Sequence, residues 1–341
     1  MKMMRHFSTG HFILAMMSIA LSLLAPLILE GCGKTQEKDT KGQPQHYTIR
    51  LKWLFNASTL GEIWGVEKGV FRRYGLHIGL KEGGAETDAL TELELGRVEF
   101  GVASADQIIR AASKGATPRV LLQIFQKNPL QWIYIKERLL IAQPRDLVGK
   151  TVGITFGGND ETIFKAIMAE YGIKKGDLTL YAVHYDYAPF WKGEVDLWPV
   201  YRNTQGVFLA EKIRKKGETP AFFDPNDLGI SFVANCLVTS EAFLKAHPES
   251  AEKMRQAEAK AWEEALDPKN EDEAVKVLKR YNPDTPLPIL REQIRETRAM
   301  VLLGDGRMGT VDRAAWEKTL EIMRREGLIK GVVDLGEILP H

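Results

Sequence analysis

Cysteine is scarce in this chain: two residues in 341, Cys32 and Cys236. That excludes a disulfide-stapled scaffold and a cysteine-built metal centre. Neither charge is in excess, with 46 Lys and Arg against 45 Asp and Glu, so nucleic acid is not an expected partner. The seven histidines are scattered without metal-ligand spacing. There is no Ser-His-Asp motif and no Walker-type loop, although triads are assembled in space rather than along the chain. These absences argue against an enzyme and against any cofactor or metal. Hydrophobic residues make up 44% of the chain, enough for a large core, and the length suggests about two domains.

The N-terminus carries the first positive signal. Lys2 and Arg5 precede an apolar stretch from Phe12 to Leu29, which stops at "LEGCGK". The pattern resembles a bacterial lipoprotein signal peptide over residues 1–31, in which the Cys32 sulfur is lipidated and becomes the new N-terminus. Glu30 departs from that pattern, where a small or apolar residue is usual. The alternative is an uncleaved anchor, because about 18 apolar residues just span a bilayer. Either way the remainder is exported and held at the outer face of a bacterial membrane, periplasmic or at the cell surface. Residues 32–45 are polar and aperiodic, a flexible tether. Cys236, in "ISFVANCLVTS", is expected to be a buried small hydrophobe.

From Tyr47 onward strand and helix patterns alternate. "YTIRLKWL", "LHIGLKEG", "VEFGVAS" and "RVLLQIFQ" read as strands, separated by helical spacings that end at Gly75, Gly96 and Gly115. "PRDLVGKTVGITFGGNDETIFKAIMAEYGI" restarts the same grammar, with "DLTLYAVH" and "VDLWPVY" as later strands. After "FVANCLVTS" the chain becomes mostly helical up to Gly331. Two α/β units followed by a helical tail place the strand-end loops around one cleft.

Six phrases occur in the order of one family: "KWLFNASTLGEIWGVEKGVFRRYGLHI", "LELGRVEFGVASADQIIRA", "IFQKNPL", "PRDLVGKTVGITFGGNDE" and "GEVDLWPVYRNTQ", with "EKGVFRRYGL" inside the first. The chain resembles the solute-binding lipoproteins of ABC importers over residues 47 to 335. The nearest branch is that of thiamine-pyrimidine-precursor binding proteins, with alkanesulfonate- and nitrate-binding relatives. The resemblance implies an α/β, two-lobe periplasmic-binding-protein type II fold with two crossover strands and a helical C-terminal region. Lobe 1 would hold residues 46–138 and 237–341, and lobe 2 residues 139–236. The implied partners are a small-molecule ligand, an ABC permease and its ATPase, and the membrane through lipid at Cys32; the protein would be a monomer. Closure follows because only the closed state gives the ligand contacts from both lobes.

The resemblance also places contact residues. Trp53 ends the first strand and Asn56 follows it; the ring either stacks on a flat ligand or fills the core beside Leu54 and Phe55. Ser104 sits at a strand-to-helix turn with Asp106, which is read as the helix cap, and Gln126 ends the fourth strand. Trp198, Tyr201 and Asn203 flank Pro199, which points to a strand edge or loop rather than a buried element. Tyr185, with Asp186 and Tyr187, forms a weaker third group.

The turn "GITFGGNDETIF" invites a phosphate reading, because helix N-termini carry free N–H groups and positive potential. It lacks a phosphate-binding Lys, however, and Asp160 and Glu161 bring negative charge of their own. Gly157, Gly158 and Asn159 are expected to offer backbone and amide groups to the ligand, with Asp160 either a ligand contact or a helix residue. Lys52 should point away from Trp53 if the first strand alternates through both. A neutral or amine-bearing planar nitrogen heterocycle, such as a thiamine pyrimidine precursor, then fits better than an anion. The alternatives are an alkanesulfonate, nitrate or flavin-type ligand in the same fold, or an enzyme like the fungal pyrimidine synthases.

Overall fold

Short apolar runs punctuated by glycine build the strands, and longer amphipathic segments cover them. A computed structural model describes residues 45–84, 86–184, 186–230 and 232–340. The expected signal peptide, Cys32 and all of the expected tether before Gln45 lie outside the described residues, as does Tyr185.

In chain order the strands are β1 (Gln45–Arg50), β2 (Leu76–Lys81), β3 (Phe100–Ser104), β4 (Pro118–Gln123) and β5 (Leu130–Ile135), then β6 (Thr151–Ile154), β7 (Thr179–Ala182), β8 (Trp198–Tyr201), β9 (Pro220–Phe223) and β10 (Asn235–Ser240). One sheet has the order β2-β1-β3-β10-β4, with β10 antiparallel to both of its neighbours. The others are β8-β5-β9, which is antiparallel, and the parallel pair β6-β7. A bridge from Val152 to Leu197, just ahead of β8, joins β6 to that second layer.

The chain thus leaves the first sheet after β4 and returns to it as β10. β5, expected to precede the change of lobe at residue 138, pairs with β8 and β9 in the second layer. Its run "LQWIYI" is almost wholly buried and so carries no alternation to mark which sheet it joins.

The helical tail seals the first sheet. Helix Pro248–Leu266 lies along helix Leu60–Glu67, and a Cβ on Gly61 would meet the Trp262 ring at 2.3 Å. Glycine is needed there for the helices to approach. One buried cluster gathers these helices on the first sheet, with Phe100, Trp262 and Ile294. A second, with Phe190 and Trp198, lies in the other layer. A third runs between them through Ile108, Trp132, Phe164 and Trp316. Cys236 is buried and free, as expected of a small hydrophobe. Among the described residues no helix is long and apolar enough to cross a membrane.

Candidate functional site

A cleft of about 910 Å³ opens between the two layers. The loop after β1 lends it Lys52, Trp53 and Asn56; the turn after β6 lends Gly157, Gly158, Asn159 and Asp160; Tyr187, Trp198 and Tyr201 come from the segment around β8.

The orientation of Lys52 is a correction. β1 ends at Arg50 rather than running through Trp53, so the two-residue alternation stops before Lys52 and both side chains line the cleft. Residues 52–55 bend over the end of β2, where Gly83 donates to the Trp53 carbonyl at 3.1 Å. A Cβ on Gly83 would strike the Leu51 carbonyl oxygen at 2.1 Å, so only glycine admits this crossing. The Lys52 ammonium donates to the Tyr201 hydroxyl at 2.6 Å, and that hydroxyl donates to Asn235 Oδ1 at 3.3 Å. A cation therefore faces the cleft, held between the ends of β1, β8 and β10. Asn235 was missed by sequence reasoning, although a lone amide at the head of an apolar strand was a signal.

The glycine turn is filled from within. Asp160 Oδ2 accepts the Thr155 N–H at 2.6 Å, Glu161 Oε2 accepts the Gly157 N–H at 2.7 Å, and the Gly158 N–H goes to the Thr155 carbonyl at 2.8 Å. Gly157 and Gly158 thus line the cleft without free amides, which corrects the expectation that they would donate to a ligand. Gly157 has φ +82°, a conformation that favours glycine. Asn159 is 7% exposed, and its Nδ2 is buried without a partner. Asp160 is also buried, and loss of hydration pushes its carboxyl up to about 6 against the opposing pull of the Thr155 hydrogen bonds and the Lys52 charge. Glu161 is held below its usual range, because its bonds to Lys165 and the Gly157 N–H and the nearby positive charges outweigh partial burial.

The aromatic residues divide. Trp53 and Tyr201 are half-buried on the wall. Trp198 is 2% exposed and packs on Tyr187, with ring centres 5.6 Å apart. Its segment is the edge strand of the β8-β5-β9 sheet rather than a loop, with Pro199 opposite Trp132, and an edge strand tolerates proline's missing N–H. The burial of Trp198 corrects the expectation that the segment is not a buried element. Burial pushes the Tyr187 hydroxyl up to about 12, so it stays a neutral donor. Asn56 lines the cleft while its side chain caps the next turn, Oδ1 accepting the Ser58 N–H at 2.7 Å.

Three expected contacts lie off the cleft wall. Ser104, not Asp106, is the residue that caps helix Ala105–Ala112, and its hydroxyl donates to Asp106 Oδ1 at 2.6 Å. Gln126 donates to the Gln123 carbonyl and lies against Gly309 of the helical tail. Asn203, fully buried in a single π turn (Arg202–Gly206), donates to Ser58 Oγ at 3.0 Å and Thr297 Oγ1 at 2.8 Å. Polar side chains beside a cleft were indistinguishable in sequence from those facing into it. Arg110, also overlooked, lines the cleft while bonded to Thr162 and near Asp106.

Comparison with known proteins agrees with this architecture. A Haemophilus influenzae protein named for thiamine biosynthesis is 23% identical over 304 residues, 85% of this chain and 90% of that protein. The alkanesulfonate-binding protein SsuA from Xanthomonas axonopodis pv. citri, solved with MOPS, has TM-score 0.67 at 14% identity, covering 87% of this chain and 99% of that one. The periplasmic nitrate-binding protein NrtA from Synechocystis PCC 6803 has TM-score 0.62 at 13% identity over 86% of each chain. The desulfurization enzyme DSZB has TM-score 0.58 at 13% identity, covering 87% of this chain and 97% of that one. These likenesses establish the two-lobe periplasmic-binding-protein fold. The NMT1/THI5-like family model matches residues 56–271, and the chain belongs to that family.

Proposed function

We propose that this protein is the extracytoplasmic binding component of an ABC importer and takes a small planar nitrogen heterocycle, such as a thiamine pyrimidine precursor, between its lobes. Family membership and the binding-protein fold support a solute-binding role. The observation that carries the ligand class is the composition of the cleft. Half-buried Trp53 and Tyr201 face it beside Asp160, whose carboxyl can meet an amino group. A permease and ATPase would be its partners, the membrane would be reached through lipid at Cys32, and the protein would act as a monomer without catalysis.

Thermal-shift measurements with an aminopyrimidine, taurine and nitrate test this, since a ligand that binds only the folded state raises the midpoint. An aminopyrimidine shift is expected. A shift with taurine or nitrate alone would overturn the ligand class and leave the transport role standing. That second reading has one observation in its favour, the ammonium of Lys52 in the cleft.

A further inference from the structure

We propose that the cleft carries a second, uncharged subsite at Gln293, where a hydroxyl-bearing arm of the ligand donates to Gln293 Oε1 and accepts from Ser58. This deepens the reading of the cleft as the ligand site and rests on it.

A chain of uncharged side chains runs behind this end of the cleft. Asn203 Nδ2 donates to Ser58 Oγ at 3.0 Å and to Thr297 Oγ1 at 2.8 Å. The Thr297 hydroxyl donates to the Gln293 carbonyl at 2.7 Å, and Gln293 Nε2 donates to the Thr204 carbonyl at 3.0 Å. Three separate elements meet here: the turn Ala57–Thr59, the π turn Arg202–Gly206 and helix Leu287–Val301. Ser58, Thr204 and Gln293 reach the cleft wall, together with Thr59 and Gln205, and none of these side chains carries a charge.

The bonds fix which atom of Gln293 is left over. A carbonyl only accepts, so the atom on Thr204 must be Nε2, and Oε1 is the free end. Gln293 is 4% exposed, and its Oε1 is buried without a partner among the described residues. Asn203 Oδ1, behind the wall, is unpartnered as well, so the network is short of donors. A buried acceptor without a donor costs free energy, and a cleft residue in that state is set for a donor that arrives with the ligand. Ser58 is the complement: its Oγ accepts from Asn203, which leaves its own proton to give.

One wall group that accepts and another that donates match a hydroxyl, which does both. A cation would find no counter-charge at this end, and an anion would meet an acceptor. The size agrees. At about 910 Å³ the cleft is near the top of the roughly 300–1,000 Å³ range of drug-sized ligand sites, more than a single ring fills.

Two probe pairs test this by calorimetry on the full chain: a hydroxymethyl-substituted aminopyrimidine against its methyl counterpart, and benzyl alcohol against toluene. The readout is the affinity ratio within each pair, for wild type, Gln293→Met and Ser58→Ala. A site built around a hydroxyl leaves its own buried groups unpaired when the hydroxyl is missing, so the ratio should drop about tenfold in each variant. Circular dichroism checks folding, and if Gln293→Met does not fold, Ser58→Ala reads the same ratio. A folded variant with the wild-type ratio overturns the proposal, as does a wild type that binds no member of either pair. Aminopyrimidines bound with a ratio that neither variant changes would uphold the heterocycle and strike the subsite. Binding of the alcohol pair alone, with the ratio lost in the variants, would strike the heterocycle and uphold the subsite.

Discussion

Lys52 and Tyr201 are joined by a 2.6 Å hydrogen bond across 149 residues of sequence, from the end of β1 to the end of β8. The bond ties one layer of strands to the other at the edge of the cleft. The Tyr201 hydroxyl also reaches Asn235 at the start of β10, so a single phenol touches the ends of three strands.

Tyr201→Phe should weaken ligand binding about tenfold, because it removes the partner of a charged donor and leaves Asn235 Oδ1 unpaired; such losses run to roughly 1–1.5 kcal/mol. Calorimetry with the best ligand checks it. Unchanged affinity would make the bond a structural tie only.

Asp160→Asn should change the pH dependence of stability. The folded carboxyl is raised from 3.8 to about 6, so its contribution is fully present below the unfolded value and is lost as pH rises to about 6. The displacement corresponds to roughly 3 kcal/mol. The amide keeps an acceptor for the Thr155 N–H, so the variant should gain on wild type between pH 4 and 6.5 and keep that advantage at pH 7.5. Urea unfolding at these pH values is the measurement, and a pH-independent difference would contradict the assignment.

Glu62 and Glu258 are buried together between helices Leu60–Glu67 and Pro248–Leu266. Burial and repulsion from Glu258 raise the Glu62 carboxyl well above its usual range, while burial pushes Glu258 up to about 8. Both shifts are upward, so stability should fall as pH rises from about 4.5 to 8. Glu258→Gln retains an acceptor for Trp262 Nε1, which bonds Glu258 at 2.9 Å, and should flatten that fall. Melting temperatures from pH 5 to 8.5 decide, and parallel curves for variant and wild type would refute it.

Gly83→Ala should cost about 1–3 kcal/mol through overpacking, because the added methyl meets backbone atoms that cannot rotate away. Since Gly83 supports the loop carrying Lys52 and Trp53, ligand affinity should fall with it. Denaturant midpoints and titrations on the same samples test both, and intact affinity in a destabilised variant would detach the loop from the site.

The alternation of strands and helices was legible because glycines end the helices and apolar runs are short. What was not legible turned on where a strand stops. "YTIRLKWL" is uniformly strand-like, yet pairing ends at Arg50 and the chain then crosses Gly83, a long-range contact with no local signature. That shift turned Lys52 into the cleft and removed one ground for disfavouring an anion. Ser104 and Asn203 show a second limit. Each has a side chain suited to a ligand, but Ser104 donates to Asp106 and Asn203 to Ser58 and Thr297. The acids of the glycine turn were legible as a suspicion, because their spacing from the glycines is local.

Asn203 also bears on how the protein matures. Its two bonds reach Ser58, 145 residues earlier, and Thr297, 94 residues later. The junction between the strand layers therefore cannot be completed until the residues of helix Leu287–Val301 have emerged. Closing such long loops is a late and slow event for a growing chain. A chain that ends before Thr297 therefore lacks one of the two partners of Asn203, and with it a tie between the end of β8 and the helical tail.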